Sequence, residues 1–165
     1  EKKYCWSYHN IGHLFLDWLK EKWQAPDFQI KKKLLAEASL LENQNLILAK
    51  NLTYMNDSFK TVGFLKKYYG LKIEDFLIVH DDSDLYLNTF KICFRRGAAG
   101  HKGIEGIIKK FGDNFYRLRI GIRNPLEKKR EKALNLVLKT IPQSEREVFF
   151  DLFEKIEKEI NRFLF

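Results

Sequence analysis

The chain has 165 residues, 45% of them hydrophobic and 15% aromatic, which is enough for one domain with a single core and excludes a mainly disordered protein. Its net charge of +8 favours an anionic partner such as nucleic acid, although a generic basic surface would have the same composition. Two distant cysteines, Cys5 and Cys93, and the lack of a membrane-spanning apolar run or signal peptide predict a soluble protein of the reducing cytoplasm.

Helical and strand-like patterns alternate along the chain. Apolar residues at helical spacing occupy residues 10–23, residues 58–69 with Gly70 as the expected C-cap, residues 104–111, and a segment from Ser144 to Ile160. Strands are predicted at residues 28–35, 46–49, 76–79, 89–94 and 115–122, with a polar turn at residues 42–45. In the last strand apolar residues alternate with arginines, which is typical of a half-buried strand. The pattern predicts one α/β domain over residues 1–165, with a mixed, twisted central sheet flanked by helices.

His9 and Asp81 are the first candidate catalytic residues. An ester is hydrolysed when a base removes a proton from the attacking water, and neutral imidazole is the usual base near pH 7. Asp81 follows the apolar run 76–79, at the expected C-terminal end of a buried strand, where open α/β sheets place functional groups. A carboxylate bonded to one ring nitrogen leaves the other as the base. A lone histidine is more often structural, and the sequence does not show that the two residues touch.

Asn56 lies between strand-forming residues and the helix predicted from residue 58. Its amide could donate to a carbonyl oxygen and accept from the peptide or the attacking water, which suits a neutral ester substrate. The alternative is an N-cap of that helix. The loop from Gly97 to Gly103 has a glycine at every third position between a strand and a helix, so it can approach a substrate closely and offer backbone donors, or simply form a tight turn.

Taken together, the segments Asn51–Ser58, Ile78–Asp82 and Gly100–Gly103, with Tyr4 and the pair His9–Asn10, resemble the bacterial-type peptidyl-tRNA hydrolase family in their order and spacing. That family cleaves the ester that joins a stalled peptide to the 3′ end of its tRNA. The resemblance implies that the catalytic residues are His9, Asp81 and Asn56. It further implies that contacts to tRNA or peptide come from Tyr4, Tyr54, Met55, Asn56, His101, Lys102 and Arg119.

The chain departs from the family pattern at three places. Lys102 replaces an asparagine that contributes to binding of the tRNA end, so it could supply a phosphate contact or degrade the site; we expect retained but altered binding. Cys93 replaces a lysine, whose contact Lys91, Arg95 or Arg96 could take over. The family's first strand and its Gly-Asn-Pro-Gly loop have no counterpart before Tyr4, which indicates either a trimmed chain or a divergent member.

Basic residues are concentrated around the glycine-containing loop and the strand that follows it, and they could be a solvated face or a grip on the phosphates of an acceptor stem. They are Lys91, Arg95, Arg96, Lys102, Lys109, Lys110, Arg117, Arg119 and Arg123.

The sequence also allows two metal-site hypotheses, which are weak, and one non-catalytic function, which is a stronger alternative. His9 and His13 have the spacing of a zinc pair but no catalytic Glu between them, and Asp82–Ser83–Asp84 resembles a magnesium-binding phosphatase loop but is followed by Leu85 rather than Thr. A catalytically weakened tRNA-binding protein of the same fold is the stronger rival. We expect a monomeric peptidyl-tRNA hydrolase that uses no cofactor or metal and does not associate with membranes.

Overall fold

The computed structural model describes residues 6–126 and 132–164. In this part of the chain the helices are α1 (Ile11–Lys22), α2 (Ser58–Tyr69), α3 (Lys102–Phe111), α4 (Ala133–Val137) and α5 (Gln143–Leu164). The strands are β1 (Gln29–Lys31), β2 (Ala36–Leu41), β3 (Leu46–Asn51), β4 (Leu77–Tyr86), β5 (Phe90–Phe94) and β6 (Tyr116–Arg123). None of the described helices is both long and apolar enough to cross a membrane.

The described strands form two three-stranded sheets, in the orders β1-β2-β3 and β4-β6-β5. The first sheet is antiparallel throughout. In the second, Tyr116 N–H donates to Phe76 O at one end and Leu87 N–H to Arg123 O at the other, so β4 and β6 run parallel. Gly121 N–H donates to Thr89 O, whereas Phe94 packs on Tyr116, so β5 is antiparallel to β6. The predicted α/β class with a mixed sheet and flanking helices is confirmed.

The chain divides into two compact units. The first comprises residues 1–19, 79–92 and 117–165. Its core joins the inner face of α1 to the long apolar stripe of α5, with Phe15 and Phe153 ring centroids 5.2 Å apart. In β6 the residues Leu118, Ile120 and Ile122 are completely buried. Arg117 on the opposite face is only 2% exposed, so the prediction of a half-buried strand was wrong, because both faces of β6 are covered.

The second unit comprises residues 20–78 and 93–116. Its main apolar cluster joins α2 and α3 through Val62, Ile104 and Ile107. Helix α2 has the predicted bounds, and Gly70 ends it in the left-handed conformation (φ 69°) that glycine adopts without steric cost. The predicted strand at residues 28–35 was correct only for β1, because Lys32–Leu34 form a turn of 3-10 helix, and strand β2 was missed.

Candidate active site

His9 and Asp81 are in contact. His9 Nδ1 lies 3.1 Å from Asp81 Oδ1, and the two side chains are 33% and 6% exposed. The hydrogen bond to the Asp81 carboxylate raises the pKa of His9 above its ordinary value, and partial burial of the ring opposes this effect. Since the carboxylate accepts a hydrogen bond from Nδ1–H, the tautomer it stabilises leaves the lone pair on Nε2. Nε2 has no hydrogen-bond partner among the described residues, so this nitrogen can act as a base.

The backbone around His9 is fixed by the segment that leads into α5. His9 lies in the 3-10 turn Tyr8–Asn10, which continues directly into α1. Tyr8 N–H donates to Lys139 O, and the buried Tyr8 hydroxyl donates to the Glu145 carboxylate. Burial, followed by this hydrogen bond to Glu145, raises the pKa of Tyr8, so the phenol stays protonated and acts as a donor. The turn that presents His9 is therefore anchored on both backbone and side chain.

Asp81 lies in the middle of β4. The prediction that it lies at the C-terminal end of the strand was wrong. The strand continues to Tyr86, because the polar run after Val79 still pairs with β6. Helix α1 packs very closely on this strand: a Cβ on Gly12 would lie 3.0 Å from Val79 O, so only glycine fits there without displacing the backbone. This close approach brings the start of α1, and with it the His9 turn, against the part of β4 that holds Asp81.

Arg119 does not project freely toward solvent. Its Nε donates to Asp82 Oδ2 at 2.6 Å, and its side chain is 19% exposed. The other oxygen of the Asp82 carboxylate, Oδ1, accepts a hydrogen bond from Asp84 N–H at 2.8 Å. Asp82 thus fixes the orientation of the guanidinium and occupies its Nε, while the terminal Nη groups remain as paired donors of the kind that bind carboxylate or phosphate oxygens.

Asn51 organises the loop that carries Tyr54, Met55 and Asn56. Its Oδ1 accepts hydrogen bonds from Thr53 N–H at 3.0 Å and from the Thr61 hydroxyl at 2.7 Å, and its Nδ2 donates to Ser58 Oγ at 3.0 Å. The sequence analysis included Asn51 in the segment that carries the family resemblance but gave it no role, although an asparagine can bond the backbone two residues on and form a turn.

The side chains beyond this loop are open to contact. Tyr54 is 88% exposed, and Asn56 is exposed with no side-chain hydrogen bond to any described residue. The proposed alternative role of Asn56 as an N-cap was wrong, since the residue that precedes α2 is Asp57. The Asn56 amide is therefore available to a ligand on both its donor and its acceptor side.

The N-terminus of α3 packs on the same loop. His101 caps the helix, with Nδ1 accepting from Ile104 N–H at 3.3 Å. A Cβ on Gly103 would lie 3.0 Å from Met55 Cγ and 3.1 Å from Met55 O, so this glycine allows the helix to touch the loop. Within the second unit, Met55, Asn56, His101 and Lys102 are consequently neighbours. Lys102 is 67% exposed and its Nζ lies 3.0 Å from Glu105 Oε2.

The predicted basic cluster separates into residues that are tethered or buried and other residues that are exposed. Arg123 Nε donates to Ser83 O at 2.6 Å, Arg95 Nε donates to Asn114 Oδ1 at 2.7 Å, and Arg117 is buried. Lys91, Arg96, Lys109 and Lys110 are exposed. Tyr4 lies outside the described residues. Of the residues that the sequence singled out, the structure thus joins His9 to Asp81 in one unit and Met55–Asn56 to the His101 turn in the other.

Comparison with known proteins gives a consistent result. The family model described as peptidyl-tRNA hydrolase matches residues 1–165. A peptidyl-tRNA hydrolase from Rickettsia canadensis is 34% identical over 157 residues, covering 94% of this chain and 83% of that protein. One from Mycoplasma capricolum is 32% identical, covering 98% and 87%. The crystal structure of peptidyl-tRNA hydrolase from Acinetobacter baumannii superposes with a TM-score of 0.82 at 28% identity, covering 93% of this chain and 78% of that one.

Proposed function

Because this chain belongs to the peptidyl-tRNA hydrolase family and hydrolyses the ester of peptidyl-tRNA, we propose that His9 is its general base and Asp81 the residue that orients it. The observation that carries the proposal is the 3.1 Å contact between His9 Nδ1 and Asp81 Oδ1. A histidine with one nitrogen held by a buried carboxylate and the other unoccupied is the arrangement that base catalysis requires.

The proposed reaction proceeds in two steps. His9 Nε2 removes a proton from a water molecule as the water oxygen attacks the ester carbonyl, and the imidazolium that forms is stabilised by Asp81. The tetrahedral intermediate then collapses: the bond from the carbonyl carbon to the tRNA 3′ oxygen breaks, and that oxygen takes the proton from His9. The products are a peptide carboxylic acid and a free tRNA 3′ hydroxyl.

Asn56, Tyr54 and Met55 are proposed to contact the ester, the peptide or the tRNA end. The support is that the Asn56 amide has no partner among the described residues and that the Tyr54 ring is almost fully exposed. A neutral amide can donate to the ester carbonyl oxygen, where negative charge develops. An exposed ring offers a stacking surface to an unpaired base.

Arg119 and Lys102 are proposed to contact phosphate, and His101 to shape the loop that leads into Lys102. For Arg119 the support is the guanidinium fork that Asp82 holds in place. We retain the expectations of a monomer acting in the cytoplasm; the support for the latter is the substrate class and the absence of a cysteine framework in the sequence.

The test is hydrolysis of an N-acylated aminoacyl-tRNA by the purified chain and by His9→Ala. The substitution should lower the turnover rate by roughly 10²–10⁴-fold, the usual contribution of a positioned base. Binding of deacylated tRNA should be unchanged. His13→Ala, a half-buried histidine four residues further along the same segment, is the matched control.

The alternative function, tRNA binding with weakened catalysis, makes a different prediction for the same assay. It has one observation in its favour, the lysine at position 102 where the family has asparagine. It predicts tight binding of deacylated tRNA together with a slow wild-type turnover that His9→Ala does not reduce further. A wild-type rate equal to that of His9→Ala would refute the role proposed for His9.

A further inference from the structure

A groove on the second unit lies between the start of the first sheet and the end of α2. It encloses about 370 Å³. Its lining residues come from two segments that are distant in sequence, and they are Ile30, Lys31, Lys32, Lys33, Leu34 and Tyr68. We call it the lysine groove. The sequence pattern placed Ile30–Lys33 inside a regular strand, whereas the structure ends β1 at Lys31 and turns at Lys32–Leu34.

The lysine groove carries positive charge, and Glu37, which lies opposite Ile30 in the first sheet, is paired with Lys50 at 2.8 Å rather than with a groove lysine. Lys31, Lys32 and Lys33 are all exposed, and no Asp or Glu occurs between Phe28 and Ala36. The adjoining end of α2 adds Lys66 and Lys67, and no Asp or Glu occurs between Ser58 and Ile73. Within the part of the chain that the structure describes, none of these lysines forms an ion pair. Their charge is therefore available to an anion.

The groove also offers an apolar and aromatic surface. Tyr68 is 70% exposed and Ile30 is 63% exposed, whereas Leu34 is buried. Tyr69 packs edge-on against Tyr68 with ring centroids 4.8 Å apart, which restricts the Tyr68 ring. An exposed, restrained ring bordered by lysines is the combination that binds unpaired nucleotides: the base stacks on the ring while the ammonium groups contact phosphates.

Three arginines of the predicted basic cluster contribute little to long-range attraction of an anion. Arg119 is neutralised by Asp82, Arg117 is buried, and Arg123 is bound to Ser83 O. These residues can supply directed contacts, but their charge is largely compensated or enclosed. Exposed lysines without acidic partners contribute more to long-range attraction of a polyanion. The groove lysines therefore form an exposed basic surface in addition to the exposed members of the cluster that the sequence emphasised.

We propose that the lysine groove is an RNA-binding site that takes an unpaired nucleotide of the tRNA substrate, with the base against Tyr68 and the flanking phosphates on Lys31–Lys33. The proposal rests on the proposed function, because it takes the RNA to be the tRNA part of the substrate. The groove contributes affinity and takes no part in the chemical step.

The charge of the groove is tested with the double substitution Lys32→Ala/Lys33→Ala, measuring deacylated tRNA binding across a salt series. Contacts to single-stranded phosphates should reduce the slope of log K against log salt by about 1.4, which is roughly 0.7 for each lysine, whereas contacts to a duplex would remove about 1.8. The control is Lys155→Ala/Lys158→Ala, which removes two exposed lysines from α5. A control that lowers the slope equally overturns the proposal, because the effect would then be that of net charge alone.

The ring is tested with Tyr68→Ala and Tyr68→Phe. Loss of stacking should weaken tRNA binding about tenfold in Tyr68→Ala, and Tyr68→Phe should bind as the wild type does, since the ring is retained. Equal affinity of Tyr68→Ala and wild type overturns the nucleotide assignment. So does a result in which the lysine pair governs binding to vesicles of anionic phospholipid but leaves tRNA binding unchanged.

Failure of this proposal can be distinguished from failure of the proposed function. At saturating peptidyl-tRNA the turnover number of all groove variants should equal that of the wild type, with KM raised. Hydrolysis of an N-acyl-aminoacyl ester of adenosine, which lacks the tRNA body, should be unaffected. If the wild type itself hydrolyses neither substrate, the proposed function fails, whereas a lower turnover at saturation in the groove variants overturns the groove assignment alone.

Discussion

Arg119 and Asp82 form an ion pair between neighbouring strands, with Arg119 Nε 2.6 Å from Asp82 Oδ2. Asp82 directly follows Asp81, which binds His9. Successive residues of a strand point to opposite faces, so the two carboxylates serve different partners. One holds a histidine and the other holds an arginine. The pairing leaves the Asp82–Arg119 unit neutral, so Arg119 can bind a phosphate by directed hydrogen bonds while adding little to the long-range field.

Removing Arg119 should destabilise the fold. Arg119→Ala leaves the Asp82 carboxylate, only 8% exposed, without its cation, and breaking a buried pair in this way typically costs about 3–5 kcal/mol. Since Arg119 is partly exposed, the loss in the free energy of unfolding should lie at the lower end of that range. Urea denaturation measures it.

The double mutant separates the pair from the individual side chains. Asp82→Ala/Arg119→Ala removes both charges and should be less destabilised than the sum of the two single mutants. Arg119→Lys keeps the charge and should lose less stability than Arg119→Ala. Additive losses would show that the two residues do not interact in solution.

The pH dependence of hydrolysis should report the His9–Asp81 contact. Because the pKa of His9 is raised, the rate should increase with pH through a midpoint above the ordinary histidine value of about 6.5. Asp81→Asn removes the negative charge, so the midpoint should move to lower pH while the plateau rate falls. The profile of kcat/KM against pH measures both. An unchanged midpoint in Asp81→Asn would mean that another group controls the acidic limb.

Stability should show the opposite pH trend. A histidine whose pKa is raised on folding adds stability that is fully present below its unfolded pKa and is lost as the pH rises through the folded pKa. The difference in the free energy of unfolding between the wild type and Asp81→Asn should therefore shrink as the pH is raised from about 5.5 to 8.5. Denaturation at a series of pH values tests this. A difference that grows with pH would contradict the direction of the shift.

Local signals in the sequence predicted helices α1 and α2. The bounds of α2 follow from helical spacing and a terminal glycine, and those of α1 from its apolar stripe alone. Strand β2 was missed because Ala36–Leu41 contains neither β-branched nor aromatic residues; it is a strand because β1 and β3 pair with it on both sides. The strand propensity of single residues does not show which segments will pair with neighbouring strands.

Contacts between distant residues were less predictable. Asp81 and His9 were paired through a family resemblance, not through any spacing rule. Asp82 and Arg119 are 37 residues apart, and nothing in the alternation of β6 indicates that its arginine face is covered. The end of β4 runs beside that face so closely that a Cβ on Gly121 would lie 2.1 Å from Tyr86 O. The arginine-bearing side of β6 is therefore covered at Gly121, whereas the alternation in the sequence indicated a half-buried strand.

Gly103 should be required for activity more than for stability. Gly103→Ala places a methyl group 3.0 Å from Met55 Cγ and 3.1 Å from Met55 O, so the loop that carries Asn56 must shift. Gly106→Ala is the matched control, because its methyl group would lie 3.4 Å from Asn56 O, which is an ordinary contact distance. It should keep activity and gain up to roughly 1 kcal/mol from helix propensity. Gly103→Ala should raise KM several-fold in steady-state assays, and equal kinetics for the two variants would contradict a role for this contact.

Lys102 should act on binding and not on the chemical step. It occupies the first position of α3, where the helix dipole disfavours a cation, and Glu105 offsets this through the 3.0 Å pair. Both side chains are more than half exposed, so the pair adds less than about 1 kcal/mol and can open to a phosphate.

Glu105→Gln frees the ammonium group and should make tRNA binding more salt-sensitive, by up to about 0.9 in the slope of log K against log salt. Lys102→Asn removes the charge and should make binding less salt-sensitive while keeping or improving cleavage at saturating substrate. Single-turnover kinetics across a salt series compares the two variants with the wild type. If Lys102→Asn abolishes cleavage at saturation, the ammonium group takes part in the reaction itself and its assignment as a binding residue is wrong.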